Sequence, residues 1–209
     1  TGNLAKFDPF TERFTEYDNP LWPSGERSMM WGIDYAPDGS VWFTDERFDS
    51  IWKFSTIDEE YERLAYPSEG NSLPQKLQID GSQIIINDFT GNKLTLLDAN
   101  PSSGEINYLS IPSPVDNSVT ADFAVDANDN IWFTNWLFQQ GGVLVKFNQN
   151  GYLDLAANSG EQFLPLIDFV KVYQLPPELL TPNGAVVTDD GTIWLADTTS
   201  SFFFSFDPF

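Results

Sequence analysis

Residues 32–45 read GIDYAPDGSVWFTD, and this stretch decides the fold because its grammar returns three more times. The later copies are QKLQIDGSQIIIND at 75–88, DFAVDANDNIWFTN at 122–135 and GAVVTDDGTIWLAD at 184–197. Each is an apolar strand, a turn of Asp, Asn and Gly, and a second strand with a Trp or Ile core that ends in an acid or amide. Turns of that composition supply the positive φ that tight hairpins require. Self-similarity at a regular spacing marks a repeat architecture before any single motif is weighed.

Downstream of each copy lies a third strand: WKFSTID at 52–58, LTLLDANPSSG at 94–104, LVKFNQNG at 144–151 and FSFDPF at 204–209. The chain also opens on that element, as AKFDPFTERF. Phe7, Phe54, Leu97, Phe147 and Phe206 then recur at spacings of 47, 43, 50 and 59 residues. Those spacings lie near or above the roughly 40 to 50 residues of a four-stranded propeller blade. A fourth strand follows as FTEYDNP at 14–20, ERLAYPS at 62–68, NYLSIPSP at 107–114 and KVYQLPP at 171–177. Pro ends these strands because it cannot donate to a ladder.

The expected fold is therefore all-β, a β-propeller of four-stranded antiparallel blades with almost no helix. Residues 1–20 complete a preceding blade, and the repeats run over about 31–73, 74–118, 119–179 and 180–209. Both ends fall mid-blade in the same phase, so the chain reads as part of a larger propeller truncated at each end, the alternative being a closed four-bladed ring. The third period carries extra sequence, Tyr152 to Ile167, expected as a packed loop.

Aromatic residues recur at matching repeat positions, as Trp42, Trp132 and Trp194 and as Phe54, Phe147 and Phe206. That periodicity assigns them to packing between blades, where large aromatics dominate the energetics. Trp31, Trp136 and the SFFFSF run at 201–206 stand outside it and are candidates for an aromatic ligand platform.

With 31 acids against 10 bases, the net charge of −21 sets a repulsive field against phosphate backbones and anionic lipid. Nucleic acid and direct binding to anionic membranes are excluded as partners. No run of about 18 apolar residues is present to span a bilayer. The absence of Cys removes thiolate chemistry and Cys-ligated zinc. The absence of His removes the commonest general base near neutral pH and imidazole ligation. Carboxylate and amide oxygen remain, and these suit calcium or magnesium.

The WFTD and WFTN strands, the PDGSVWFTD hairpin and the PNG at 182–184 resemble the streptogramin lyase (virginiamycin B lyase) type of propeller across all four repeats. PNGAVVTDDGTIWLAD is similar, more distantly, to the calcium-dependent lactonases of the gluconolactonase and senescence-marker class and to NHL repeats. The lyase resemblance implies magnesium-assisted ring opening of a cyclic depsipeptide, with a His as general base. No residue here can take that role, and Asp45, Asn135 and Asp197 stand where the lyase-type repeat often shows Glu. The lactonase resemblance implies a cation at the top of the central channel, with the Asn of the PNG-like motif among its ligands.

Asn183 matches that Asn, and Asp122 is a weaker match by position. In a blade the first strand starts and the second ends at one face, which expects Asp45, Asp88, Asn135 and Asp197 on a common rim with them. Two roles stay open for these side chains: holding Ca2+ or Mg2+, or capping tight turns through backbone N–H groups. No catalytic residue is assigned. The sequence is read as an extracytoplasmic binding or protein-interaction module, not competent as a lyase. Its expected partner is a protein or small molecule at the channel rim, within a larger surface assembly. The alternative is a divalent-cation-dependent hydrolase or lyase of lactonase type.

Overall fold

The computed structural model describes residues 2–99, 106–138, 140–159 and 165–208. The expected extra segment of the third repeat falls partly on 160–164, and the end of the second repeat's third strand on 100–105; both stretches lie outside the described residues, as does Phe209. Strands β1 (Leu4–Asp8) and β2 (Arg13–Tyr17) form an antiparallel pair. A four-stranded antiparallel meander follows: β3 (Met30–Tyr35), β4 (Ser40–Asp45), β5 (Ser50–Ser55) and β6 (Glu60–Ala65). The second meander is β7 (Pro74–Asp80), β8 (Gln83–Asp88), β9 (Lys93–Asp98) and β10 (Tyr108–Pro112). The third is β11 (Val119–Val125), β12 (Asn130–Leu137), β13 (Gly141–Asn148) and β14 (Val170–Gln174). The last sheet has three strands, β15 (Pro182–Val187), β16 (Ile193–Asp197) and β17 (Phe203–Phe206).

Each hairpin joining the first two strands of a repeat places a residue in the left-handed region, namely Gly39, Gly81, Asp129 and Gly191. One expectation fails. Between β13 and β14 the chain forms helix α1 (Gln149–Ser159) and a 3-10 turn (Leu166–Phe169), where the reading expected a loop. The run LDLAAN supplies good helix formers, but the Asn and Gly before it read as turn signals. No helix among the described residues is long and apolar enough to cross a membrane.

The chain divides into two compact units, Thr1–Ile86 with Thr95–Leu109, and Asn87–Leu94 with Ser110–Phe209. The division passes through the second meander. In the first unit β4 is apolar on both faces. Trp42, Ile51, Leu77, Ile84, Ile86 and Leu97 form one core cluster, while Phe43 and Trp52 pack with Trp22 on the other side. Phe43 and Trp52 stack with ring centroids 6.0 Å apart. Each fully buried large apolar side chain of this kind contributes on the order of 1.5–3 kcal/mol. In the second unit Trp132, Leu144, Ile193 and Leu195 form the corresponding cluster. Trp194, expected to pack like Trp42 and Trp132, is instead 45% exposed. The packed side of β16 is carried by Ile193 and Leu195.

Blades are fastened by side chains that the motif carries at one position. The Thr of WFT donates Oγ1 to the carbonyl that opens the next repeat: Thr44 to Gln75 O, and Thr134 to Pro182 O at 2.8 Å. The same oxygens accept from Gly32 N at 2.9 Å and Asp122 N at 3.2 Å. Asn87, at the equivalent place in β8, donates Nδ2 to Thr120 O and Ala121 O at 2.9 and 3.0 Å. The strands so joined run close: a Cβ on Gly32 would lie 2.4 Å from Leu77 N, so only Gly fits there.

Candidate functional site

Within the first unit, Asp45 is fully buried at the end of β4. Its Oδ1 accepts from Met29 N at 3.3 Å and Arg47 N at 3.1 Å, and its Oδ2 from Ser50 Oγ at 3.3 Å. Burial pushes its carboxyl above the ordinary range, because those hydrogen bonds only partly offset the lost hydration. Trp31 lies near the start of β3 and is 61% exposed.

The other five candidate oxygen-bearing residues belong to the second unit. Asp88, buried at the end of β8, accepts from Gly91 N at 2.9 Å. A Cβ on Gly91 would meet that carboxylate at 2.2 Å, so a larger residue there would displace it from the turn. Asp197 binds the turn that follows β16 through Thr199 N and Ser200 N at 2.9 and 2.7 Å, and reaches back to Thr181 N at 2.6 Å. Burial raises its pKa, but the hydrogen bonds of Ser200, Thr181 and Thr199 outweigh that and hold the carboxyl below the ordinary range.

Asn135 departs from this pattern because β12 does not turn there but continues, pairing Trp136 with Gly142 and Leu137 with Gly141. No tight turn follows at once to offer its N–H groups. An amide, which can donate, therefore replaces the acid. Asn135 Nδ2 donates toward Asn92 Oδ1 and Thr120 Oγ1, both at 2.9 Å, and toward Val119 O at 3.2 Å.

Asp122, half-buried on β11, accepts from Phe123 N at 2.8 Å and from Ala185 N at 2.7 Å. Its carboxylate thus ties β11 to β15. Asp34 does the same in the first unit, accepting from Tyr35 N and Ile79 N, both at 2.8 Å. Neither this tie nor the Thr fastener was assigned from sequence. The signal available was the return of Thr two residues after Trp in two of the four copies, on the same strand face.

Asn183 and Trp136 are brought together. Trp136 Nε1 donates to Asn183 Oδ1 at 2.9 Å, and Asn183 Nδ2 donates to Thr198 Oγ1 at 3.0 Å. Thr181 Oγ1 lies 3.0 Å from Thr198 Oγ1 and 2.6 Å from Thr199 Oγ1. Phe89 packs edge-on to Trp136 with ring centroids 5.8 Å apart, and Phe138, 76% exposed, lies 6.4 Å away on the same ring. The result is an aromatic surface bordered by an amide and three hydroxyls. The SFFFSF run contributes elsewhere: Phe206 packs on Trp132 and Tyr173, while Phe202 and Phe203 are exposed.

Among the described residues no three acids gather in a group able to hold a metal ion. A cation at Asn183 and Asp122 would compete with the Trp136 indole for one oxygen and with two backbone N–H groups for the others.

This arrangement of sheets is shared with solved structures. The chain superposes on a streptogramin B lyase at a TM-score of 0.63, with 18% identity, over 88% of this chain and 56% of that one. Virginiamycin B lyase from Staphylococcus aureus gives 0.64, with 16% identity, over 98% and 63%. A candidate 6-phosphogluconolactonase from Bacteroides uniformis gives 0.64, with 15% identity, over 96% and 59%. The fold is that of a β-propeller. The chain spans between 56% and 63% of the lengths of these three proteins, and at such identity the likeness speaks for fold alone. Its sequence matches no protein-family model and no curated protein.

Proposed function

We propose that this chain is a propeller-type binding module that engages a protein or small-molecule partner through the surface around Trp136. The observation carrying this reading is the Trp136–Asn183 hydrogen bond, which turns the motif Asn toward an aromatic platform. Aromatic rings with one polar edge supply contact area and orientation at low entropic cost. The acids at the strand ends support the reading, since their oxygens serve turns, and so does the absence of His for general-base chemistry.

A second reading is a cation-dependent hydrolase of sugar lactones, favoured by the PNG at 182–184 and by the likeness to the candidate 6-phosphogluconolactonase. There the cation would be held by Asn183 and Asp122 and would polarise the lactone carbonyl. Hydrolysis of gluconolactone by the chelator-treated protein, with and without added calcium, separates the two. The binding module predicts the buffer rate in both. A calcium-dependent rate that falls in N183A would replace it with the hydrolase.

A further inference from the structure

The first and third meanders place a Lys at the same point, on the third strand and directly across from the Trp of the second: Lys53 opposite Trp42, and Lys146 opposite Trp132. In both, the ammonium lies over the indole, at 5.3 and 5.1 Å from the ring centroid. The surroundings differ in charge. Lys53 Nζ lies 3.3 Å from Asp38 Oδ2, and across the ladder it faces Glu62. At the place of Asp38 the third repeat has Asn128, and across the ladder Lys146 faces Lys171. Two substitutions between copies thus remove both counter-charges. They leave two lysines side by side on one face, an arrangement that is destabilising when nothing neutralises it.

Among the described residues neither Lys146 nor Lys171 has a carboxylate within ion-pair distance, although the chain carries 31 acids to 10 bases. Both line a cavity of about 340 Å³ at the hairpin end of β11–β12 and β15–β16, the opposite end of β12 from Asn135. Lys171 Nζ sits 4.7 Å over the Tyr173 ring, and Tyr173 stacks on Trp132 with centroids 5.9 Å apart, so both ammonium groups are held by aromatic faces. Three acids also line the cavity. Asp126 is engaged through both oxygens by the N–H groups of Asn128, Asn130 and Trp132. Asp190 binds Thr188 Oγ1 and Thr192 N. Asp189 is exposed. Asp126 and Asp190 are thus hydrogen-bonded within their own hairpin turns.

We infer that this cavity is an oxyanion site: it takes a carboxylate or phosphate group of a small molecule between Lys146 and Lys171, against the Tyr173 ring. The volume suits a small organic ligand. The bound group supplies the charge that Asp38 and Glu62 supply to Lys53. Because the field of the whole chain is negative, binding weakens at low ionic strength unless the local pair dominates. The test is therefore run at fixed ionic strength.

Titration of the protein at pH 7 with inorganic phosphate, with benzoate and with chloride alone, read by thermal unfolding, decides the matter. We expect a saturable rise for phosphate or benzoate beyond chloride; a response to one and not the other names the group. Lys171→Glu restores the cross-ladder Lys–Glu pair of the first repeat, with Asn128 left in place. It is expected to weaken the anion response at least about tenfold and, in plain buffer, to raise Tm by about 2–4 °C. No response beyond chloride, or an undiminished response in K171E, overturns the inference.

Discussion

The Thr that follows Trp-Phe in the motif acts through its hydroxyl, and two substitutions separate that role from simple space-filling. Thr134 is fully buried, donates to Pro182 O and accepts from Asp122 N. Thr134→Val keeps the volume and removes both hydrogen bonds. Thr134→Ser keeps the hydroxyl and removes one methyl. Each buried backbone group left without its partner costs about 1–3 kcal/mol, so the Val variant, which orphans two, should lose about 2–6 kcal/mol. The Ser variant should lose about 1 kcal/mol for the methyl. At about 2–4 °C per kcal/mol for a domain of this size, Tm falls by roughly 4–24 °C in the first and 2–4 °C in the second. Thermal and urea unfolding of both variants give the ranking. If Val proves as stable as Ser, or more so, the Thr is there for packing and the fastening argument is wrong.

Further outcomes follow from the acids. Asp45 has a raised pKa through burial, so above that pKa the folded state carries a poorly hydrated charge. D45N should therefore match or exceed the parent's stability at pH 8, with the advantage narrowing as pH falls toward 4, in chemical unfolding at several pH values. Asp126 has the opposite sign: burial opposes ionisation, but the Trp132, Asn130 and Asn128 hydrogen bonds outweigh it and lower its pKa from 3.8. Its stabilisation is complete above 3.8 and is lost as pH falls through the folded value. D126N should thus be less stable at pH 6, with the gap closing below pH 3.8, read by acid titration of the far-ultraviolet signal.

Much of the fold was legible because period-2 patterning, Asp-Gly turns and Pro-terminated strands all recur at matching places in GIDYAPDGSVWFTD and its copies. Helix α1 was not, since Asn148, Asn150 and Gly151 announce a turn while the helix formers come after them. Trp194 looked like Trp42 and Trp132, but sequence periodicity does not say whether a neighbouring sheet covers its face. At the site, Asn183 and Trp136 were each singled out, yet their hydrogen bond joins residues 47 apart, and no spacing rule announces it. The strand-end acids were legible as a set but not in role, because a carboxylate that caps a turn and one that binds a cation have the same sequence signature. The Lys146–Lys171 pair was invisible until the register placed two strands side by side.

The account rests on the Asn183, Asp122 and strand-end oxygens serving the protein's own hydrogen bonds. The most direct test is thermal unfolding of the chelator-treated protein across a titration of calcium and of magnesium, with N183A alongside. The account predicts no saturable shift in either protein. A saturable rise approaching about 2.7 kcal/mol at a hundredfold excess over Kd, roughly 5–11 °C, that disappears in N183A would contradict it and place a cation among those oxygens.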